Sequence, residues 1–158
     1  MMTVTFPRLI VLLFVAAISL NSAVAEENIF MARSNLDFEV VVEKLAMTLE
    51  EYGYKVAHTQ RCDGGLNDFG YKTDFYRILF FGKYEEVKAL SSKHPAIVPF
   101  LPLKILIFAE EGETLLVSMN PSLLTSHFND PQVTIQLLRW TNDIDSIFTE
   151  VSTSWNKK

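Results

Sequence analysis

The sequence predicts an α+β fold in which one mostly antiparallel β-sheet carries helices on a single face, in the order β-α-β-β-α-β-β-α. Three observations lead there. Segments 37–52 and 130–151 repeat apolar residues every three or four positions, the period of an amphipathic helix. Segments 74–81 and 103–109 are apolar on both phases of a two-residue alternation, as in strands covered on both sides. Between the last two strand-like runs, Glu110-Glu111-Gly112-Glu113 makes a tight turn.

Residues 28–33 are short and apolar enough for a first strand. Asp37 stands where its side chain can accept from amides that the first helical turn leaves unpaired. In that helix Phe38, Val41, Val42, Leu45, Leu49 and Tyr52 form one apolar stripe, with Glu39, Glu43, Lys44, Glu50 and Glu51 mostly opposite. Gly53 ends it where a left-handed residue is wanted. From Tyr54 to Arg61 the pattern alternates, with Tyr54, Val56 and His58 expected on one face and Lys55, Thr59 and Arg61 on the other. Cys62-Asp63-Gly64-Gly65 reads as a turn, and residues 66–73 carry no clear pattern.

Asp74 to Phe81 reads as a central strand, broken by Gly82. Tyr84, Val87 and Leu90 mark a short helix with Glu85 and Glu86 in its first turn, where the helix dipole favours acids. Pro95 and Pro99 forbid its continuation. Leu103 to Ala109 is the second two-sided strand, and Phe108 is its expected core keystone. Gly112 supplies the positive φ of the turn, and Thr114 to Asn120 returns with Leu115, Val117 and Met119 on one face until Asn120-Pro121 ends the ladder. Asp130 caps and Pro131 opens the last helix. Its inward stripe is Val133, Leu137, Trp140, Ile144, Ile147, Phe148 and Val151.

Residues 1–25 have the layout of a cleavable secretory signal. Arg8 precedes the apolar run Leu9 to Leu20, then come polar Asn21-Ser22 and the small triplet Ala23-Val24-Ala25, ahead of Glu26-Glu27. The apolar run is shorter than the ~20 residues of a spanning helix. The expectation is export, periplasmic or secreted, with cleavage near Ala25 and no stable membrane insertion afterwards. Residues 26–158 then form a single domain. Cys62 is the only cysteine, so no internal disulfide is available. The chain carries 14 Lys and Arg against 19 Asp and Glu. An acidic chain without a basic stripe excludes nucleic acid as a partner, because phosphate contact needs clustered cations.

A family likeness rests on Ile97-Val98-Pro99-Phe100-Leu101-Pro102-Leu103-Lys104-Ile105-Leu106-Ile107-Phe108, which resembles the Leu-Pro-x-Lys/Arg strand opening of the domain of unknown function 302 family. Phe75-Tyr76-Arg77-Ile78-Leu79-Phe80-Phe81-Gly82-Lys83 is similar to that family's third strand, although the family often has Asn-Pro where Gly82-Lys83 stand. Val117-Ser118-Met119-Asn120-Pro121 resembles its hairpin ending in proline, and helix 37–52 with Gly53-Tyr54 also fits. The resemblance covers most of residues 29–152. It implies a compact α+β domain, often paired as a homodimer, with no agreed biochemical role. The family often carries Cys after Leu-Pro, where this chain has Leu103.

No local motif of known catalysis occurs. Gly64-Gly65 and Gly82-Lys83 lack the flanking pattern of a phosphate or dinucleotide loop. The carboxylate pairs Glu50-Glu51, Glu85-Glu86 and Glu110-Glu111, and Asp143 with Asp145, diverge around their elements and read as solvated faces. Cys62 has three readings: a reactive or metal-binding thiolate aided by Arg61 and His58, a disulfide across a dimer, or a small half-buried side chain. Asp63 opposes the first, because a neighbouring anion raises a thiol's pKa. His58, His94 and His127 are too scattered for a local metal motif. His58 reads as a partly buried, hydrogen-bonded imidazole and His94 as a cation at a helix end. Aromatic residues crowd positions 71–100 and serve as core, as a dimer face or as the wall of an apolar pocket. The candidate ligand-binding residues are Tyr76, Phe80, Tyr84, Phe100 and His58, with Cys62 as a candidate thiol. The expected function is an exported, dimeric, non-catalytic domain that binds a small or apolar ligand or a protein partner. Its alternative is a redox, metal or haem protein built on Cys62 with His58 or His127.

Overall fold

Both long helices lie on the same side of one five-stranded antiparallel sheet. The computed structural model describes residues 28–70 and 75–152, with side chains at all of these except 65–67. The leader expected over 1–25 lies outside these residues. The strands are β1 (Ile29–Ser34), β2 (Lys55–Arg61), β3 (Tyr76–Gly82), β4 (Leu103–Glu110) and β5 (Glu113–Met119), in the spatial order β1-β5-β4-β3-β2. The helices among the described residues are α1 (Phe38–Glu51), α2 (Asp63–Asp68), α3 (Tyr84–Lys93) and α4 (Pro131–Ser152). Two 3₁₀ turns, Pro95–Phe100 and Pro121–His127, link the elements.

Periodicity decides which side of each element is covered. The buried stripe of α4 is Val133, Leu137, Trp140, Ile144, Ile147, Phe148 and Val151, as the sequence predicts. In α1 the buried set is Phe38, Val41, Leu45, Thr48 and Leu49, with Val42 and Tyr52 only partly covered. These stripes meet Leu79 and Phe81 of β3, Leu103, Ile105 and Ile107 of β4, and Leu116 of β5 in a single core. Gly53 takes φ +78° and releases the chain into β2. At the β4–β5 turn both Glu111 (φ +53°) and Gly112 (φ +85°) are left-handed, the geometry that matches the twist of a two-residue hairpin. Asp130 Oδ1 accepts from the Gln132 amide at 2.7 Å and caps α4.

Five expectations change. Asp37 holds the capping position of α1, but its side chain makes no capping bond; only its carbonyl is used, by the Val41 amide at 3.0 Å. The segment read as a turn at 62–65 opens α2, so one more short helix enters the order. His58 is exposed rather than partly buried, and it does not share a face with Val56. The register steps from Val56 opposite Phe81 to His58 opposite Phe80, so Ala57 is the extra residue of a bulge that reverses the alternation. Phe108 is not in the core. Its neighbour Ile107 is fully buried there, and Phe108 lies on the other side of the sheet. A strand apolar on both phases does not say which phase faces the helices. Last, Glu86 and Asp143 are not on solvated faces: Glu86 accepts from Trp140 Nε1 at 2.9 Å and Gln136 Nε2 at 3.1 Å, and Asp143 Oδ2 accepts from the Tyr54 hydroxyl at 2.6 Å.

Candidate functional site

The face of the sheet turned away from the helices carries an apolar centre flanked by Arg33, Gln60, His58 and Lys104. Paired residues of antiparallel strands share a side, so the register reads out this face in rows. Arg33, Leu115, Phe108 and Tyr76 form one row, and the Cys62 amide, which donates to the Tyr76 carbonyl at 3.0 Å, extends it. Met31, Val117, Leu106, Ile78 and Gln60 form the next. Beyond them, Ile29 pairs with Met119, Lys104 with Phe80, and Phe80 with His58. Ile29 and Met31 at the edge are half exposed.

At one end of this face lies a cleft of about 570 Å³, lined by Phe75, Tyr76, Leu106, Phe108, Ala109, Glu110 and Glu111. The Tyr76 and Phe108 rings meet edge to face, 6.3 Å apart at 80°. Phe75 stands at the rim, stacked on Phe38 of α1 at 5.3 Å. Partial burial, and more weakly Cys62, hold the Tyr76 phenol above its ordinary pKa, so it stays a neutral hydrogen-bonding group. On the acidic side Glu110 accepts from Arg33 at 2.8 Å and Glu113 from the same guanidinium at 3.1 Å. On the helix side of the same sheet end, Arg77 forms two 2.6 Å hydrogen bonds to Glu39 and lies over the Phe38 ring. That pairing holds the Glu39 carboxyl below its ordinary range.

The predicted site residues disperse. Tyr76 lines the cleft. Phe80 shares its face but sits four residues along the strand, and its ring stacks on the exposed His58 at 6.1 Å. Tyr84 opens α3 and is 71% exposed, with Lys88 over its ring. Phe100 ends a 3₁₀ turn and is partly exposed. Cys62 follows β2, and burial first, then the neighbouring Asp63, push its thiol up and away from thiolate chemistry. His94 Nε2 lies 3.2 Å from Asp130, and His127 Nδ1 lies 3.2 Å from Ser126 Oγ. Among the described residues no three His, Cys, Asp or Glu side chains gather as a metal-binding group. None of the described helices is long and apolar enough to cross a membrane.

Sequence reasoning missed Phe75, Leu106, Phe108, Glu110 and Glu111 as a group. One signal was available: helices on one side only must leave one apolar phase of β4 uncovered.

A family model matches residues 30–151, from β1 through almost all of α4. The chain belongs to the family named Domain of unknown function DUF302. A solved DUF302 structure is similar in fold: the crystal structure of an uncharacterized conserved DUF302 protein from Bacillus stearothermophilus aligns with TM-score 0.72 and 17% identity. The alignment covers 80% of this chain and 99% of that one. At that identity the likeness is one of fold. No curated protein matches this chain. DUF302 membership leaves the role of the uncovered face to be read from its chemistry.

Proposed function

We propose that this chain is an exported, homodimeric binding domain whose ligand site is the aromatic cleft on the uncovered face of the sheet. The observation that carries the reading is the cleft itself. Its volume of about 570 Å³ lies within the ~300–1,000 Å³ of small-molecule sites, and aromatic and aliphatic walls with few polar groups are what such sites have. Tyr76, a ligand-binding candidate from the sequence, forms part of the wall. The β1–β5 half of the same face supports pairing with a second copy: Ile29 and Met31 are 50% and 54% exposed beside Val117 and Met119. Apolar contiguity of that kind marks interaction surfaces. Export rests on the secretory layout of residues 1–25.

Native mass spectrometry of protein purified from its own host tests all three parts. The expected species starts after Ala25, contains two subunits and retains a small organic molecule. Protein found inside the cell with Met1 still attached removes export, a monomer at micromolar concentration removes the dimer, and a ligand-free mass under non-denaturing extraction removes the binding reading.

A further inference from the structure

We infer that the cleft takes a small organic cation, an ammonium group carried on a short aromatic or branched aliphatic body. The inference deepens the ligand-binding reading and rests on it.

Charge is the first argument. Among the described residues no lysine, arginine or histidine lines the cleft, and its ionisable walls there are Glu110, Glu111 and the phenol of Tyr76. The hairpin beside it carries Glu110, Glu111 and Glu113, and the Arg33 guanidinium pairs with Glu110 and Glu113. An anionic ligand would meet this carboxylate without a counter-cation among the described residues of the walls. A cation meets Glu111 directly, because the left-handed turn holds that residue at the rim of the cleft.

Aromatic chemistry is the second. Ring faces are electron-rich and attract cations, most strongly where water is partly excluded. Elsewhere the fold supplies its own: Arg77 lies 5.1 Å from the Phe38 centroid, Lys83 4.3 Å from Tyr54 and Lys88 5.6 Å from Tyr84. Among the described residues no cation is placed over Tyr76 or Phe108, which meet edge to face inside the cleft. Leu106 on the same face, with Ala109 at the sheet end, adds apolar lining for the body of the ligand.

The test is calorimetric titration of the whole protein with three probes of similar size: benzyltrimethylammonium, its neutral isostere neopentylbenzene, and phenylacetate. Benzyltrimethylammonium is expected to bind about tenfold tighter than neopentylbenzene, a margin typical of a cation over aromatic faces. Phenylacetate should not bind. Phe108→Leu should weaken the cation about tenfold, by the same measure. Glu111→Gln, on an exposed turn that tolerates the change, should weaken the cation and leave the neutral probe unaltered, which separates lost charge from altered folding. Equal binding of cation and neutral probe, or tighter binding of phenylacetate, overturns the cation inference and leaves an apolar-ligand site standing. Failure of all three probes overturns both readings.

Discussion

The Tyr54 hydroxyl donates to Asp143 Oδ2 at 2.6 Å and ties the start of β2 to the middle of α4. Lys83 joins them, its ammonium 4.3 Å from the Tyr54 ring centroid and 3.8 Å from the same carboxylate oxygen. Burial, then the bond to Asp143, drive the phenol's pKa far above the ordinary value of about 10. A group whose pKa rises on folding contributes stability that is fully present below its unfolded pKa and is lost as pH climbs beyond it. Urea denaturation should therefore show stability falling above about pH 10. Tyr54→Phe should flatten that fall and cost roughly 1–3 kcal/mol at neutral pH, because the Asp143 carboxylate loses a donor.

Glu86 plays the matching part between α3 and α4. One oxygen accepts from Trp140 and Gln136, and the other pairs with Arg139 at 2.6 Å. Trp140 is 1% exposed, so its indole N–H has no ready access to water. Glu86→Leu should cost roughly 1–3 kcal/mol by orphaning that donor. In the Trp140→Phe background the same change should cost less, and a double-mutant cycle of chemical denaturations measures the difference.

Adjacent residues of β4 give opposite responses. Ile107→Ala opens a cavity in the core and should cost roughly 2–5 kcal/mol. Phe108→Ala removes a ring from the uncovered face and should cost clearly less. Equal losses in chemical denaturation would place both side chains in the core and contradict the register.

Cys62 should react slowly. Burial and Asp63 both disfavour its thiolate, so alkylation by iodoacetamide at neutral pH should lag behind that of an unstructured cysteine peptide. Asp63→Asn removes the second cause alone and should raise the rate by roughly twofold to fivefold, as relief of a nearby like charge does. A rate above the peptide's would restore the reactive-thiol reading.

Much of this molecule is legible along the chain because its causes are local. The α4 stripe, the Asp130 cap, the left-handed Gly53 and the hairpin at Gly112 each follow from neighbours within one or two turns. The apolar character of β3 and β4 is equally plain. What faces what is not. His58 changes side because one extra residue, Ala57, enters a pairing set by β3. Glu86 and Asp143 look like solvated carboxylates until α3 and β2 are laid against α4. Likewise the cleft joins Tyr76 of β3 to Leu106, Phe108 and Glu110 of β4, residues some thirty positions apart.

By itself, then, the sequence determined the elements and their amphipathic stripes, since a helix's period and a turn's φ depend on residues close in the chain. Tertiary structure alone decided which phase of each two-sided strand met the helices and which was left open. Alternating apolar residues bury equally well on either side until packing helices cover one, and that choice made Ile107 core and Phe108 the wall of an open cleft.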